Sequence, residues 1–369
     1  MLLLFVYTLF VLFSCCRGSM MDSIQINEVL PRESGIVIEQ DGLIMLQNVT
    51  KNIKQFLGGE PVKIARIGTA YSNVVYMFEI DGNRYIYKEF QEFDEQDEMI
   101  NSIIGGERVI ESNSEFRIEK CLEGRHAIIK RDLKRIASEL RKFHDTRIEG
   151  VRSYEEMVKI MLVKCIGEMI REDEKEEISL SCVEENIRKI RSSCEAVLSD
   201  SDRIIWILTK VRDKVFGIPR GDFKEVMCHN DLQPGNILVS ESSVVFIDFE
   251  FAAMGSPVID IANLFCESGY DYSRYMFVDD CFPSTEEQME FIQEYMGDSR
   301  DCLEIVELVN GAMAYSHFLW YLWAQCNKRC GCSEHFDYVK YGNSRLLELR
   351  KRGFVSASEY EVLRMNERR

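Results

Sequence analysis

Proline and glycine are scarce in this chain, six and 22 in 369 residues. That scarcity excludes collagen-like and proline-rich low-complexity classes. Basic residues are the minority, 45 Lys and Arg against 62 Asp and Glu, for a formal net charge of -17. A nucleic-acid partner is excluded on that ground, because a phosphate polyanion would be repelled. The acidic field suits a cationic ligand, although solubility alone is the simpler explanation of such a field. There is no internal repeat, and no apolar stretch after Phe13 is long enough to cross a bilayer. With 46% apolar residues the chain is an ordinary globular sequence, long enough for one large core or two lobes.

Two local features stand apart from this background. Leu2 to Phe13 is almost continuously apolar and leads into Ser14-Cys15-Cys16-Arg17. It has the outline of a secretory leader but no basic residue before it, and Met20 and Met21 follow at once, so a start assigned too far upstream is an equal reading. The 13 cysteines are scattered and odd in number, which fits reduced thiols in a cytoplasmic protein. Cys326, Cys330, Cys332 and His335 are the densest group, but their C-x3-C-x-C spacing is not the C-x2-C of structural zinc sites.

Residues Lys63 to Phe90 read as strands, with a hairpin turn at Asp81-Gly82-Asn83. Glu98 to Ile110 changes to helical spacing, and Phe116 to Glu119 returns to a strand. Leu133 to His144 then places Leu133, Ile136, Ala137, Leu140 and Phe143 on one helical face, and Val151 to Phe216 continues as amphipathic helix. The expected architecture is α/β (α+β), with a β-rich lobe over residues 22–122 and a mainly helical lobe over 123–369, preceded by the apolar segment 1–21.

The chemistry is concentrated in Cys228-His229-Asn230-Asp231-Leu232-Gln233-Pro234-Gly235-Asn236, followed by Asp248 in Ile247-Asp248-Phe249-Glu250. The pair resembles the H-x-D-x-x-x-x-N and D-F-G elements of kinase-fold phosphotransferases. Ile237-Leu238-Val239 and Val244 to Ile247 flank the polar turn Ser240 to Ser243, which predicts a hairpin. Asn236 enters that hairpin and Asp248 leaves it, a spacing that lets both supply oxygens to one magnesium ion. Asp231 is then the candidate base for an acceptor hydroxyl. Lys88, on a predicted strand, is the candidate phosphate-binding lysine, and Glu98 is placed to pair with it.

A closer resemblance is carried by His229-Asn230-Asp231 through Asn236, by Ile247 to Glu250, and by Asp260-Ile261-Ala262-Asn263-Leu264-Phe265-Cys266-Glu267. Tyr270 to Ser273, Ser316 to Trp323 and Phe336 to Tyr341 extend it. Together these resemble the choline/ethanolamine kinase family, over roughly Ile64 to Arg352. The resemblance implies a two-lobed protein-kinase-like fold related to aminoglycoside phosphotransferases. It also implies ATP and Mg2+ as cofactors, a small amino-alcohol as substrate, and the first step of phosphatidylcholine or phosphatidylethanolamine synthesis as the role.

Residue by residue, the resemblance makes Asp231 the base, Gln233 a polar neighbour of the transferred group, and Asn236 and Asp248 the metal ligands. Ser72, Asn73, Lys88 and Glu98 would meet the nucleotide. Phe251, Glu267, Tyr272, Trp320, Trp323, Phe336 and Tyr341 would wall the amino-alcohol pocket, and Asp260 would brace the catalytic loop. Aromatic faces with a nearby carboxylate are what a quaternary ammonium requires, because it cannot donate hydrogen bonds. Choline is therefore expected before ethanolamine. A homodimer is compatible with the resemblance.

The chain departs from the family pattern at Thr69 and Ala70, where a glycine pair is usual, and at Ser268 and Phe251, where a larger aromatic and a tyrosine are commoner. The competing readings are a kinase-fold enzyme acting on an aminoglycoside or sugar, and a silent scaffold. The Trp320/Trp323 helix speaks against the first, and intact Asp231, Asn236 and Asp248 against the second.

Overall fold

The structure is a computed structural model that describes residues 40–59, 61, 63–67, 73–91, 93–170, 200–297, 302–328 and 336–365. The apolar run Leu2 to Phe13, the loop residues Thr69, Ala70 and Ser72, and Cys330, Cys332 and His335 lie outside the described residues.

In chain order the elements are α1 (Gln40–Leu57), β1 (Lys63–Ile67), β2 (Val74–Ile80), β3 (Asn83–Glu89), α2 (Glu95–Gly105), β4 (Val109–Ser112), β5 (Phe116–Lys120) and β6 (Arg125–His126). Then come α3 (Ile129–Asp145), α4 (Tyr154–Ile170), α5 (Asp200–Phe216), β7 (Val226–Cys228), β8 (Ile237–Val239), β9 (Val244–Phe246) and β10 (Ala253–Gly255). The chain continues through α6 (Pro257–Ser268), β11 (Tyr270–Asp271), β12 (Met276–Phe277), α7 (Thr285–Met296), α8 (Cys302–Asn327), α9 (Tyr338–Lys351) and α10 (Ala357–Leu363).

These elements form two compact units. The smaller one comprises the described residues up to His126 together with the segment 238–250. Its five-stranded antiparallel sheet runs in the order β1-β2-β3-β5-β4. Val74, Tyr76, Phe78 and Ile80 alternate inward along β2, the period of a half-buried strand, and pack with Val49 and Ile53 of α1. Asp81 (φ 49°) and Gly82 (φ 79°) make the tight turn from β2 to β3, the left-handed pair that a two-residue hairpin needs.

Helix α2 starts and stops earlier than its sequence spacing predicts. The Asp94 side chain caps it by accepting from the Gln96 N–H at 2.8 Å, and Gly106 at φ 49° ends it. Val109 and Ile110, expected in the helix, stand in β4. The segment 238–250, which sequence order assigns to the second lobe, belongs to the smaller unit. Its strands β8 and β9 join β6 in a three-stranded sheet, and its turn is closed by the Ser240 N–H on the Ser243 carbonyl at 2.9 Å.

The larger unit spans 127–237 and the described residues from Phe251 onward. Helix α8 is buried almost all round, as a central core helix must be, and packs against α4, α5, α6, α7 and α9. A Cβ on Gly342 would stand 3.0 Å from the Ala324 Cβ. Glycine there lets α9 lie close to α8. Among the described residues no helix is long and apolar enough to cross a membrane, and none of the seven described cysteines is in a disulfide.

Candidate active site

Helix α6 positions the loop that carries Asp231 in the larger unit. Every one of its residues is buried, yet Asp260, Asn263 and Glu267 recur at i, i+3 and i+7, placing three polar groups on one face of an otherwise apolar helix. Asp260 accepts the His229 N–H at 2.8 Å and the Asn230 N–H at 2.7 Å. Asn263 Oδ1 accepts the Leu232 N–H at 2.7 Å. The loop backbone can form no ladder here, and α6 satisfies its buried N–H groups instead. Asp260 also pairs with His144 Nε2 at 2.9 Å, whose other ring nitrogen meets the Tyr295 hydroxyl at 2.6 Å. Asn230 sits at φ 63°, a left-handed conformation that asparagine tolerates better than most residues, and its amide donates to the Phe251 carbonyl at 2.9 Å.

This bracing presents Asp231, which is 4% exposed. Its Oδ2 accepts from Asn236 Nδ2 at 2.7 Å and from Gln233 Nε2 at 3.1 Å. Asn236 Nδ2 also reaches the Asp231 carbonyl at 3.0 Å. Asn236 thus donates through its nitrogen, which leaves the carbonyl side of the amide as the one able to meet a hard cation.

The seven residues expected to wall the pocket all lie in this unit, and the structure joins them in one run of contacts. Phe251 meets Trp320 with centroids 4.9 Å apart, Trp320 meets Trp323 at 5.5 Å, and Trp323 meets Phe336 and Tyr341 at 5.8 Å each. Tyr341 stacks on Tyr272 at 6.2 Å, and the Tyr272 hydroxyl donates to Glu267 Oε2 at 2.5 Å. Burial pushes the Tyr272 and Tyr341 phenols well above their ordinary value. The charges of Glu267 and Asp231 push in the same direction for both, and the Arg345 charge opposes them.

Sequence reasoning missed Arg345, one helical turn beyond Tyr341. Its Nη2 donates to Glu267 Oε1 at 2.7 Å, and neither side chain is exposed. Both Glu267 oxygens are therefore engaged, one by Arg345 and one by Tyr272. Arginine at this distance from the signature motifs gave no local signal, because only the packing of α9 beside α6 and β11 makes it a partner.

The smaller unit holds the nucleotide-side candidates. Lys88 is buried and its Nζ lies 2.6 Å from Asp248 Oδ1. Burial alone would lower its pKa, but the carboxylates of Asp248, Glu250 and Asp97 outweigh it and hold the ammonium charged. Asp248 is at φ 69°, a strained conformation for a non-glycine residue.

Glu98 does not pair with Lys88. It accepts from Arg117 Nη1 at 2.9 Å, and the carboxylate acting on Lys88 from α2 is its neighbour Asp97. The cause is sheet register: Lys88 on β3 stands directly opposite Arg117 on β5. Arg117 draws both α2 carboxylates, Glu98 at 2.9 Å and Asp97 at 3.9 Å, while the ion pair of Lys88 is with Asp248 at 2.6 Å. Asp97 is further fixed by the Asn101 amide at 2.6 Å, and burial pushes its carboxyl up to about 6. Asn73 Oδ1 accepts the Gln91 N–H at 3.2 Å. Ser72 lies outside the described residues.

Comparison with known proteins agrees with this layout. Residues 114–349, more than half of the chain, match the family model described as choline/ethanolamine kinase. A probable choline kinase 2 of Arabidopsis thaliana is 31% identical over 147 residues, covering 36% of this chain and 42% of that protein. The choline/ethanolamine kinase of Homo sapiens is 34% identical over 143 residues, covering 32% and 36%. The chain thus spans only about two fifths of the length of these curated relatives. An ethanolamine kinase of Plasmodium vivax superposes with a TM-score of 0.62 at 21% identity, over 88% of this chain and 91% of its own. That superposition shows the kinase-like fold. With the Asp231 loop, helix α6 and helix α8 all inside the matched region, the chain belongs to the choline/ethanolamine kinase family.

Proposed function

We propose that this protein transfers the γ-phosphate of ATP to the hydroxyl of choline, with ethanolamine as the second substrate. The observation that carries the reading is Asp231. It is held by the Asn236 and Gln233 amides at one end, and its charge acts on Tyr272 and Tyr341 of the aromatic run. That favours reading a base for a hydroxyl and a wall for an ammonium as parts of one site.

In this reading Asp231 orients the acceptor hydroxyl and takes its proton as the oxygen bonds to the γ-phosphorus. The bond from that phosphorus to the bridging oxygen breaks, and ADP leaves. Lys88 contributes a fixed positive charge toward the phosphates. Asn236 and Asp248, both oxygen donors of the kind a hard cation takes, are the residues that would hold magnesium, which supplies charge neutralisation on the phosphate oxygens. Described cysteines that form no disulfide, together with ATP use, fit a cytoplasmic setting.

The deciding experiment is a radiolabelled phosphate-transfer assay with choline and ethanolamine on one preparation of the full chain. Phosphorylated amino-alcohol is the expected product. No product from either alcohol, with transfer to an aminoglycoside or sugar instead, overturns the proposal.

A further inference from the structure

A carboxylate beside an aromatic cluster invites the assumption that it is the counter-ion of the bound ammonium, but the surroundings of Glu267 argue otherwise. Its Oε1 accepts from Arg345 at 2.7 Å and its Oε2 from the Tyr272 hydroxyl at 2.5 Å. The Glu267 and Arg345 side chains are both 0% exposed. At that separation and burial the pair is electrically closed, so an arriving cation meets a dipole and not a net charge.

Arg345 is itself held as a bound cation would be. Its guanidinium carbon lies 4.4 Å from the ring centroid of Tyr270, 4.8 Å from that of Tyr341 and 5.1 Å from that of Phe277. Its Nε and Nη1 have no hydrogen-bond acceptor among the described residues. Ring faces stand where acceptors would be, an arrangement that suits a planar, weakly hydrated guanidinium better than a strongly hydrated ammonium. The protein has therefore built one cation into the aromatic region. The rings left for a ligand are those of the Phe251, Trp320, Trp323 and Phe336 side.

We propose that Arg345 is a specificity-determining positioning residue: it occupies Glu267 and, through it, fixes the Tyr272 hydroxyl, so that the pocket selects its ammonium by aromatic faces and not by an ion pair. This rests on the amino-alcohol kinase reading above. The consequence is a bias against a primary ammonium. Its N–H donors gain only from an available carboxylate, whereas trimethylation loses nothing when the carboxylate is already taken. Arg345 acts on substrate only through Glu267 and Tyr272.

The test compares KM for choline and ethanolamine, at saturating ATP and magnesium, in the unmodified full chain and in Arg345→Met, Arg345→Met/Glu267→Gln and Tyr272→Phe. Arg345→Met frees a carboxylate and should shift the KM ratio toward ethanolamine by about tenfold, the worth of one charge-assisted hydrogen bond. The double variant removes both charges together, a change that buried pairs tolerate. Its ratio should return to within about threefold of the unmodified value. A merely structural role would lower kcat or stability without moving that ratio.

Tyr272→Phe keeps the ion pair and releases one Glu267 oxygen, so it should shift the ratio in the same direction by a smaller factor. It decides the matter if Arg345→Met does not fold. A ratio unmoved in the folded variants, or moved equally by the single and double changes, overturns the role of Arg345 while leaving the kinase reading intact. An unmodified chain that phosphorylates neither alcohol overturns the kinase reading and this inference with it.

Discussion

Asp260 Oδ1 accepts the Asn230 backbone N–H at 2.7 Å, and that bond fixes the residue immediately before the proposed base in a left-handed conformation. Because Asp260 Oδ2 serves His229 and His144 as well, one carboxylate on α6 anchors the loop and a helix from elsewhere in the same unit. Asp260→Ala should leave two buried N–H groups unsatisfied and destabilise the fold by about 3 kcal/mol. Asp260→Asn keeps the shape and one acceptor and should be milder. Chemical denaturation of both variants checks the order, and equal stability of Asp260→Ala and the unmodified chain would show that the loop holds itself.

Asp231→Ala should abolish nearly all turnover while ATP binding, read by calorimetry, stays within about threefold, because the base meets the acceptor and not the nucleotide. Asp248→Ala should weaken magnesium-dependent nucleotide binding as well. Identical phenotypes would contradict the separate roles assigned to the two aspartates.

The carboxyl of Asp97 predicts a pH effect whose sign follows from its direction of shift. Burial raises it from 3.8 to about 6 in the folded chain, so the folded state holds its proton more tightly than the unfolded state does. The associated stability is fully present below 3.8 and is lost as pH rises through about 6. Two pKa units set an upper bound of about 3 kcal/mol. Asp97→Asn should therefore flatten the fall in Tm between pH 4 and pH 7, read by thermal melts across that range. An undiminished slope in Asp97→Asn would assign it to other groups.

Trp323 touches Trp320, Phe336, Tyr338 and Tyr341, so truncating it opens the aromatic run at its centre. Trp323→Ala should raise KM for choline more than for ethanolamine, by about fivefold to tenfold if one cation–π contact is lost. Steady-state kinetics with both alcohols reads the difference. Equal changes for the two would mean that the wall acts by shape alone.

Much of this protein was determined by local sequence. The Asp81-Gly82 turn, the alternation along β2, the polar turn of the β8–β9 hairpin and the apolar stripe of α3 follow from backbone conformation and periodicity, which need no distant partner. The motif spacing from His229 to Asp248 was equally legible, because a loop and a hairpin of fixed length keep their residues in register. What tertiary structure decided is which charges meet.

Glu98 had the right distance from Lys88 in sequence, but the register of β3 against β5 put Arg117 beside Lys88, and Arg117 took the Glu98 carboxylate. Glu267 was legible as a carboxylate near aromatic residues, but only the packing of α9, close to α8 at Gly342, delivered Arg345 to neutralise it. Periodicity fixes which face of a helix is buried. The identity of the charge facing it depends on side chains brought together from 78 residues away, for which no local pattern exists.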